Sequence, residues 1–325
     1  MLNFCTLFDS TYLSRGLAMY NSLTNHCPHF RLFVFAFDDN CYNLLKSMNL
    51  PSMEVISLTD FEDKKLLEIK PTRTKGEYCW TSTPSTVLYV LDRFKVDHCT
   101  YLDSDLYFFS SPQPLLDEMG DCSVLITPHR YTPLYDQSVK TGIYCVQFVT
   151  FKNNDQGRTV LDWWRNACID WCYNRFEDGK FGDQRYLDDW PVRFEGVHVL
   201  QHLGGGVAPW NMQQYEFKKL EDGNIIGTEL KTKRQFPVIF FHFHSLVFVS
   251  PHCFSPRPYY KRNDSSIRLL FRPYIKELEK IRTVFPEINA KEHYLKGFKY
   301  IKYIGEVFLR QGFREFHFMK LLHQK

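Results

Sequence analysis

The chain has 325 residues, a formal net charge of +3 and an apolar fraction of 44%. This length and composition predict a globular protein with a large core, built as one elaborated domain or as one domain with an appendage. The net charge is too small to indicate nucleic-acid binding. The chain has no run of 18 apolar residues, so we expect no membrane span.

The cysteines predict a reduced, cytoplasmic protein. Ten are present, and none belongs to a Cys-x-x-Cys pair, which argues against a structural zinc site. Several lie inside apolar runs, where a free thiol packs as a small hydrophobic group. Met1 leads directly into a short apolar strand, so we expect no signal segment.

Apolar periodicity predicts that strands and helices alternate through the first 60 residues. Strands are predicted at 2–8, 32–37 and 53–58, and helices at 14–23 and 41–48. The second strand is almost continuously apolar, which suits burial on both faces of a parallel sheet. The alternation predicts an α/β fold in which a mixed, mostly parallel sheet is flanked by helices.

The rest of the chain continues this pattern and ends in a basic segment. We expect one α/β domain over residues 1–255 and a helical, basic and aromatic extension over residues 256–325. Further strands are predicted at 99–102, 123–127, 142–151, 197–200 and 238–244, helices at 78–94, 115–119 and 157–173, a surface loop at 129–141 and a hairpin at 217–232.

Two carboxylates lie one residue apart in Asp103-Ser104-Asp105, directly after a predicted buried strand. Residues i and i+2 of an extended chain point to the same side, so this pair can converge on a hard divalent cation such as Mg²⁺ or Mn²⁺. The alternative is an acidic turn in which Asp103 caps the next element and Asp105 is solvated. Asp9 and Asp38 also follow predicted strands, and ligands of α/β sheets bind at those strand ends.

Three motifs in order along the chain resemble the family-8-like glycosyltransferases of the GT-A fold. They are Asp103-Ser104-Asp105 after a buried strand, Gly182-Asp183-Gln184, and His242-Phe243-His244-Ser245. The segment from Thr6 to Tyr12 also resembles the nucleotide-base pocket of that family. The resemblance covers about residues 1–250 and implies a Rossmann-like GT-A domain.

The resemblance implies a metal site and catalytic residues. Asp103 and Asp105 would bind Mn²⁺ or Mg²⁺, which clamps the diphosphate of a nucleotide-sugar donor. The family takes a third metal ligand from a histidine; His242 matches the motif, and His244 is a rival on the same strand face. For either histidine the alternative is a core residue bonded to backbone. Asp183 and Gln184 match the family's pair beside the donor sugar and acceptor; a helix N-cap is the alternative for Asp183.

The resemblance also implies a donor pocket, with some departures. Where the family has a Lys or Arg before the acidic triplet, this chain has Pro84, so Arg73 or Lys75 would replace that charge. The family's Asn-x-Gly motif is replaced in this chain, and Gln147, which lies near its place, would take over a sugar contact. Three consecutive glycines imply a wall of backbone beside the donor. Trp210 is either a stacking platform for an acceptor sugar or a core residue. The donor-binding candidates are Thr6, Phe8, Asp9, Tyr12, Arg73, Ser104, Gln147, Gly205, Gly206 and Asn211.

The implied activity is metal-dependent transfer of a sugar from a UDP-sugar to a saccharide or lipid-linked saccharide, with retention, as in bacterial cell-surface polysaccharide assembly. Retention is compatible with a front-side route and with a covalent one. One alternative is a sugar-nucleotide nucleotidyltransferase, although residues 8–11 lack the Gly-rich loop of that class. The other is a non-catalytic sugar- or nucleotide-binding protein, for which we would expect a broken metal triad.

The last 35 residues carry eight Lys or Arg against three Glu, interleaved with aromatics. Basic and aromatic residues on a helical period suit an interfacial helix on an anionic membrane. The alternative is a pair of helices that pack on the catalytic domain and leave their lysines solvated. The first interpretation predicts a cytoplasmic enzyme that is peripheral on the inner face of the membrane.

Overall fold

A central mixed sheet organises the protein, and its strands follow the apolar runs of the sequence. The structure is a computed structural model that describes residues 1–250, 253–256 and 260–289, together with Ile301 and Gly305. The strands are β1 (Leu2–Phe8), β2 (Phe30–Ala36), β3 (Met53–Ser57), β4 (His98–Leu102), β5 (Leu106–Phe108), β6 (Val124–Pro128), β7 (Tyr144–Lys152), β8 (Val197–Val199), β9 (Tyr215–Lys219), β10 (Ile225–Glu229), β11 (Gln235–Pro237), β12 (Phe240–His242), β13 (Leu246–Ser250) and β14 (Cys253–Pro256).

The helices cover both faces of this sheet. Short 3₁₀ segments occupy Lys70–Thr72, Pro133–Tyr135, Arg185–Asp189 and Met212–Gln214, and a π-helical turn occupies Ile267–Phe271. The α-helices are α1 (Leu13–His26), α2 (Asp39–Met48), α3 (Leu58–Phe61), α4 (Lys64–Ile69), α5 (Lys75–Phe94), α6 (Gln113–Met119), α7 (Ser138–Thr141), α8 (Asp155–Asp170), α9 (Trp190–Arg193), α10 (Asp264–Ser266), α11 (Arg272–Val284) and α12 (Pro286–Asn289).

In the described ranges the central sheet has seven strands in the order β3-β2-β1-β4-β7-β6-β8. The β1–β2, β2–β3, β1–β4 and β6–β8 pairs are parallel, whereas β7 runs antiparallel to both β4 and β6. The predicted α/β fold with a mostly parallel sheet flanked by helices is therefore confirmed.

Alternation along β1 divides the core between the two faces of the sheet. Phe4 and Phe8 join a cluster that includes α1 and α11, while Cys5 and Leu7 join a cluster under α5 and α8. Trp164 of α8 is fully buried in the second cluster. Burial of each large side chain of this kind contributes roughly 1.5–3 kcal/mol, so both helical layers are needed to hold the sheet.

The start of α5 is fixed by a capping box. The Thr74 side chain accepts the Glu77 backbone N–H, and the Glu77 carboxylate accepts the Thr74 N–H at 2.9 Å. The helix therefore begins at Lys75, three residues earlier than the sequence pattern predicts, and Pro84 lies inside it. This start places Lys75 at the carboxyl end of β1.

A short antiparallel pair, β5 with β12, joins the acidic segment to the histidine segment. Phe240 pairs with Phe108 and His242 with Leu106. The predicted strand over 238–244 is shorter in the structure, because the Phe243 N–H turns to donate to the Asp105 carbonyl at 2.9 Å. The pairing sets His242 beside the acidic turn.

The described part of the C-terminal extension packs on the same core. Tyr274 of α11 stacks on Phe243 with ring centroids 3.8 Å apart, and Leu278 and Ile281 are buried in the cluster around α1. The boundary between residues 1–255 and 256–325 stays a prediction. The basic tail from Lys291 lies outside the described residues except for Ile301 and Gly305. Across the described ranges, every helix is too short or too polar to cross a bilayer.

We predict that Gly204→Ala lowers the free energy of unfolding by about 1–3 kcal/mol or more. A Cβ at Gly204 would lie 1.9 Å from the Pro237 carbonyl oxygen. The Gly204 carbonyl also accepts the N–H groups of Ile239 and Phe240 at 3.0 and 3.2 Å, so the backbone next to β12 would have to move. Urea unfolding measures the change.

Gly76→Ala is the matched control, because no atom lies within 4 Å of its added Cβ in the first turn of α5. We expect it to leave stability unchanged or to raise it by up to about 1 kcal/mol. Equal effects of the two substitutions would mean that the close approach at Gly204 carries no strain.

Candidate active site

The acidic triplet forms the turn between β4 and β5. The Asp103 N–H donates to the Gln147 carbonyl at 3.1 Å, and the Leu106 N–H donates to the Asp103 carbonyl at 3.2 Å. Ser104 is buried, while the Asp103 and Asp105 side chains are 29% and 13% exposed. The bond to β7 and the bond that closes the turn hold both carboxylates at the end of the sheet.

His242 lies between the two carboxylates and Gln147. Its Nε2 is 3.0 Å from Asp105 Oδ1 and 3.6 Å from Asp103 Oδ2, and its Nδ1–H donates to Gln147 Oε1 at 2.7 Å. The side chain is almost fully buried. The structure thus brings together four of the residues predicted from the sequence.

The charges of this cluster are coupled. Burial would lower the pKa of His242, but Asp105 and Asp103 raise it well above its usual value. Both ring nitrogens face acceptor oxygens, which agrees with an imidazolium. Burial would raise the pKa of Asp105, yet His242 lowers it to about 2. Burial raises the pKa of Asp103 to about 6, with Asp105 adding to the rise and His242 opposing it.

His242 fits a divalent cation shared with either carboxylate, whereas the one group of three in the described residues whose ligand atoms all lie within 4.8 Å of one another is Asp103, Cys145 and His242. Two ligand atoms at about 2.1 Å from one ion lie roughly 3.0–3.4 Å apart at octahedral or tetrahedral angles. The separations of 3.0 and 3.6 Å from His242 Nε2 to the carboxylates are close to that range. Gln147 would keep the Nδ1–H tautomer of His242 and leave Nε2 for the ion, as second-shell partners of metal-bound histidines do.

His244 has a different environment from His242. It is exposed, and its ring contacts Trp210 and His242, with each pair of centroids 5.6 Å apart. Trp210 is buried and its indole N–H donates to the His129 carbonyl at 2.9 Å. Trp210 is therefore a core residue that supports the two histidines from one side.

The turn after β1 carries a second group of charges. Lys75 Nζ is 2.5 Å from Asp9 Oδ2, and Asp9 Oδ1 accepts the Thr11 N–H at 2.8 Å. Tyr12 is 43% exposed, and its hydroxyl lies within electrostatic reach of Asp9, Asp103 and Asp105. The base-pocket segment therefore adjoins the acidic turn.

The other candidates near β1 are more enclosed. Phe8 is buried, and its ring lies against Gly16 of α1, where an added Cβ would be 2.4 Å from the ring. Thr6 is also buried, and its Oγ1 has no hydrogen-bond partner in the part of the chain that the structure describes. Arg73 donates to the Ile169 carbonyl at 3.0 Å and to the Tyr173 hydroxyl. Of the two basic candidates, Lys75 rather than Arg73 reaches Asp9.

Asp183 and Gln184 lie in the loop after α8. The Asp183 carbonyl accepts the Trp164 indole N–H at 2.9 Å, and Gln184 Nε2 donates to the Thr141 carbonyl at 2.6 Å. Burial raises the pKa of the Asp183 carboxyl to about 8, and the Asp103 charge adds to the rise. The following 3₁₀ helix has Gln184 at its N-cap position without a side-chain bond, so the N-cap alternative for Asp183 is wrong.

The glycine segment fills two roles. Gly205 has no room for a side chain because Leu115 and Leu200 approach it, whereas Gly206 has φ +103° and lies beside Gln147 Nε2. Asn211 is fully buried. Its Nδ2 donates to the carbonyls of His129 and Gly206, both at 2.8 Å. These bonds use both amide hydrogens of Asn211 to shape the wall.

Two residues that sequence analysis did not single out belong to this region. Cys145 joins Asp103 and His242 in a cluster whose ligand atoms all lie within 4.8 Å of one another. Its position two residues before Gln147 on β7 is the signal that could have identified it, because alternate residues of a strand share a face. Arg15 is buried in α1, donates to the Leu246 carbonyl at 3.1 Å and acts electrostatically on Asp105. No pattern distinguishes it from an ordinary helix-surface arginine.

We predict that Asp183→Asn stabilises the metal-free protein more at pH 8 than at pH 4. A buried carboxyl with a pKa raised to about 8 keeps its proton when the unfolded chain has lost its own. The wild type therefore loses stability from about pH 4 to pH 8, by up to about 1.4 kcal/mol per pH unit. The amide removes that dependence. Denaturant unfolding at several pH values measures it.

Asp178→Asn, at an exposed position of the same loop, serves as the control and should show no comparable trend. Parallel pH profiles for the wild type and Asp183→Asn would contradict the prediction.

Curated relatives and solved structures match the chain, whereas no protein-family model does. An active-site mutant of LgtC shares the fold with a TM-score of 0.53 at 12% identity, covering 86% of this chain and 96% of that chain. Mouse xyloside xylosyltransferase 1 matches 61% of this chain and 84% of its own at 12% identity, with a TM-score of 0.41. The LgtC likeness agrees with the GT-A fold.

Two curated sequence relatives come from Bacillus subtilis (strain 168). The uncharacterized protein YfnD is 31% identical over 297 residues, covering 88% of this chain and 92% of YfnD. The uncharacterized protein YfnF is 30% identical over 255 residues, covering 76% of this chain and 82% of YfnF. The chain therefore belongs to the family of YfnD and YfnF.

Proposed function

We propose that this protein is a family-8-like glycosyltransferase that transfers a sugar from a UDP-sugar to a saccharide or lipid-linked saccharide, with retention. The observation that carries the proposal is the buried contact of His242 with Asp105 and Asp103 at the end of a GT-A sheet. Carboxylates and imidazoles are ligands of divalent cations, and His242 Nε2 lies within 3.6 Å of an oxygen of each carboxylate.

Asp103, Asp105 and His242 would hold Mn²⁺ or Mg²⁺. When bound, the cation supplies positive charge to the donor diphosphate and to the leaving nucleoside diphosphate. Gln147 orients His242 through the 2.7 Å bond to Nδ1. The rest of the work falls to groups of the chain that bind the donor and exclude water.

The nucleotide would lie over the turn after β1. Tyr12 is half exposed there and offers an aromatic face, and Asp9 is positioned by Lys75 and Thr11. Lys75 is 62% exposed at its side chain, so its ammonium is available to a phosphate as well as to Asp9. The Lys75 ammonium would thus replace the basic residue that the family has where this chain has Pro84.

The donor sugar would lie between Gln147, Gly206 and the Asp183-Gln184 loop. A protonated Asp183 donates a hydrogen bond to a sugar hydroxyl instead of attacking the anomeric carbon. The Gln184 amide is already bonded to the Thr141 carbonyl. A protonated Asp183 is a poor nucleophile, which favours a front-side route in which the leaving phosphate accepts the proton of the acceptor. The Gln184 bond engages Nε2 and not Oε1, the atom that would attack in a covalent route, so it favours neither route. We also propose that the acceptor is a saccharide or lipid-linked saccharide and that the C-terminal extension binds a membrane, as in cell-surface polysaccharide assembly.

We predict that full-length protein with Mn²⁺ releases nucleoside diphosphate from one member of a panel of nucleotide sugars, as slow donor hydrolysis. Asp105→Asn should lower that release by about 100-fold or more, because the substitution removes a charged ligand from the cation site. Asp162→Asn, exposed on α8, should act as the wild type does. Chromatography of the nucleotides measures release.

Other products would identify other functions. Pyrophosphate released from a nucleoside triphosphate and a sugar phosphate would indicate a nucleotidyltransferase. Donor binding without turnover, with or without a saccharide acceptor, would indicate a non-catalytic binding protein.

We predict that His242→Ala and His244→Ala differ in Mn²⁺ affinity. His242 is buried against both carboxylates, so its loss should weaken binding by more than the roughly 10–100-fold typical of second-shell changes. His244 is exposed, so its loss should cost less than about tenfold. Calorimetric titration measures both affinities. Equal small losses would mean that the third ligand lies elsewhere.

A further inference from the structure

Cys145 brings a sulfur atom to a site otherwise made of oxygen and nitrogen. Its side chain is 4% exposed. The described residues contain one group of three His, Cys, Asp or Glu side chains arranged to hold an ion, and it consists of Asp103, Cys145 and His242, with ligand atoms all within 4.8 Å of one another. The cysteine is therefore in a position that a ligand would occupy.

The strand β7 delivers Cys145 to this place. Cys145 and Gln147 are two residues apart, Gln147 accepts from His242 Nδ1 at 2.7 Å, and its carbonyl accepts the Asp103 N–H at 3.1 Å. The Cys145 thiol itself interacts with the His242 ring. Strand β7 thus supplies both the group that orients the imidazole and a thiol beside it.

The other core cysteines provide a contrast. Cys5 and Cys99 lie in the apolar cluster under α5 and α8, where a thiol behaves as a small hydrophobic group. Cys145 also packs in an apolar cluster, with Ala208 and Trp210, but its thiol interacts with the His242 imidazole and lies within 4.8 Å of an Asp103 oxygen. Gln147, which interacts with the same histidine, has no exposed surface, and its Nε2 has no hydrogen-bond partner among the described residues. The surroundings of Cys145 therefore combine apolar packing with polar groups that a bound ligand would complete.

We propose that Cys145 is a ligand of the bound cation, so that the site prefers a softer divalent ion such as Zn²⁺ or Co²⁺ over Mn²⁺ or Mg²⁺. On binding, the S–H bond breaks, the sulfur electron pair bonds the metal, and the proton goes to solvent. Thiolate ligands select zinc-like ions, whereas carboxylates alone suit Mg²⁺ and Mn²⁺. This inference rests on the proposed metal site and changes its expected occupant.

The test uses Co²⁺ added to full-length, metal-free protein. We expect a thiolate-to-cobalt charge-transfer band in the near-ultraviolet, which Cys145→Ser removes while the weaker visible cobalt bands remain. Cys122→Ser is the matched control, because Cys122 is a half-buried free cysteine outside the cluster; it should keep the charge-transfer band.

Competition between ions gives a second measurement. Cys145→Ser should weaken Zn²⁺ binding by about tenfold or more and change Mn²⁺ binding by less than about threefold, because only the softer ion depends on sulfur. Equal losses for both ions would overturn the proposal, since they would indicate a general disturbance of the site.

The outcomes separate this proposal from the one on which it rests. Cobalt binding to the wild type without a charge-transfer band would overturn the role of Cys145 and leave the metal site intact. No cobalt binding to the wild type would overturn both. The wild-type spectrum decides these two cases even if the Cys145 variants fail to fold.

Discussion

The pairing of β5 with β12 is the constraint on which the site depends. It is only three residues long, yet it sets His242 opposite Leu106 and so brings Nε2 to 3.0 Å from Asp105 Oδ1. Two nearby carboxylates are costly in a partly buried turn, and a positive partner offsets that cost. The imidazole is that partner in the absence of a metal. The same atoms therefore stabilise the turn and define the proposed cation site.

Much of the surrounding structure keeps this short pair in place. The Gly204 carbonyl accepts two N–H groups from the chain entering β12, and Gly204 has no Cβ because the Pro237 carbonyl occupies that space. On the other side, Phe243 stacks on Tyr274 of α11. The C-terminal helix and the glycine segment thus act on the histidine through backbone and aromatic packing. Neither contains a proposed metal ligand.

The sequence predicts the sheet well because its central strands coincide with mainly apolar runs, as in β1 and β2. It predicts the acidic turn for the same reason, since Asp103 directly follows such a run. It could not predict the bond of Lys75 to Asp9, which depends on where the Thr74–Glu77 capping box starts α5. Nor could spacing show that the Asn211 side-chain amide donates both of its hydrogens to backbone carbonyls. The position of Cys145 could have been predicted, because strand alternation puts it on the same face of β7 as Gln147.

The imidazolium also has a thermodynamic consequence for the metal-free protein. In small zinc domains, binding free energy is folding free energy, and the apo chain is unfolded. Here a proton on His242 already supplies the positive charge next to Asp105, and large apolar clusters on both faces of the sheet hold the fold. Folding would therefore be separable from loading of the proposed metal site. A cation at the proposed site would exchange with that proton, and the domain would keep its structure when the cation leaves.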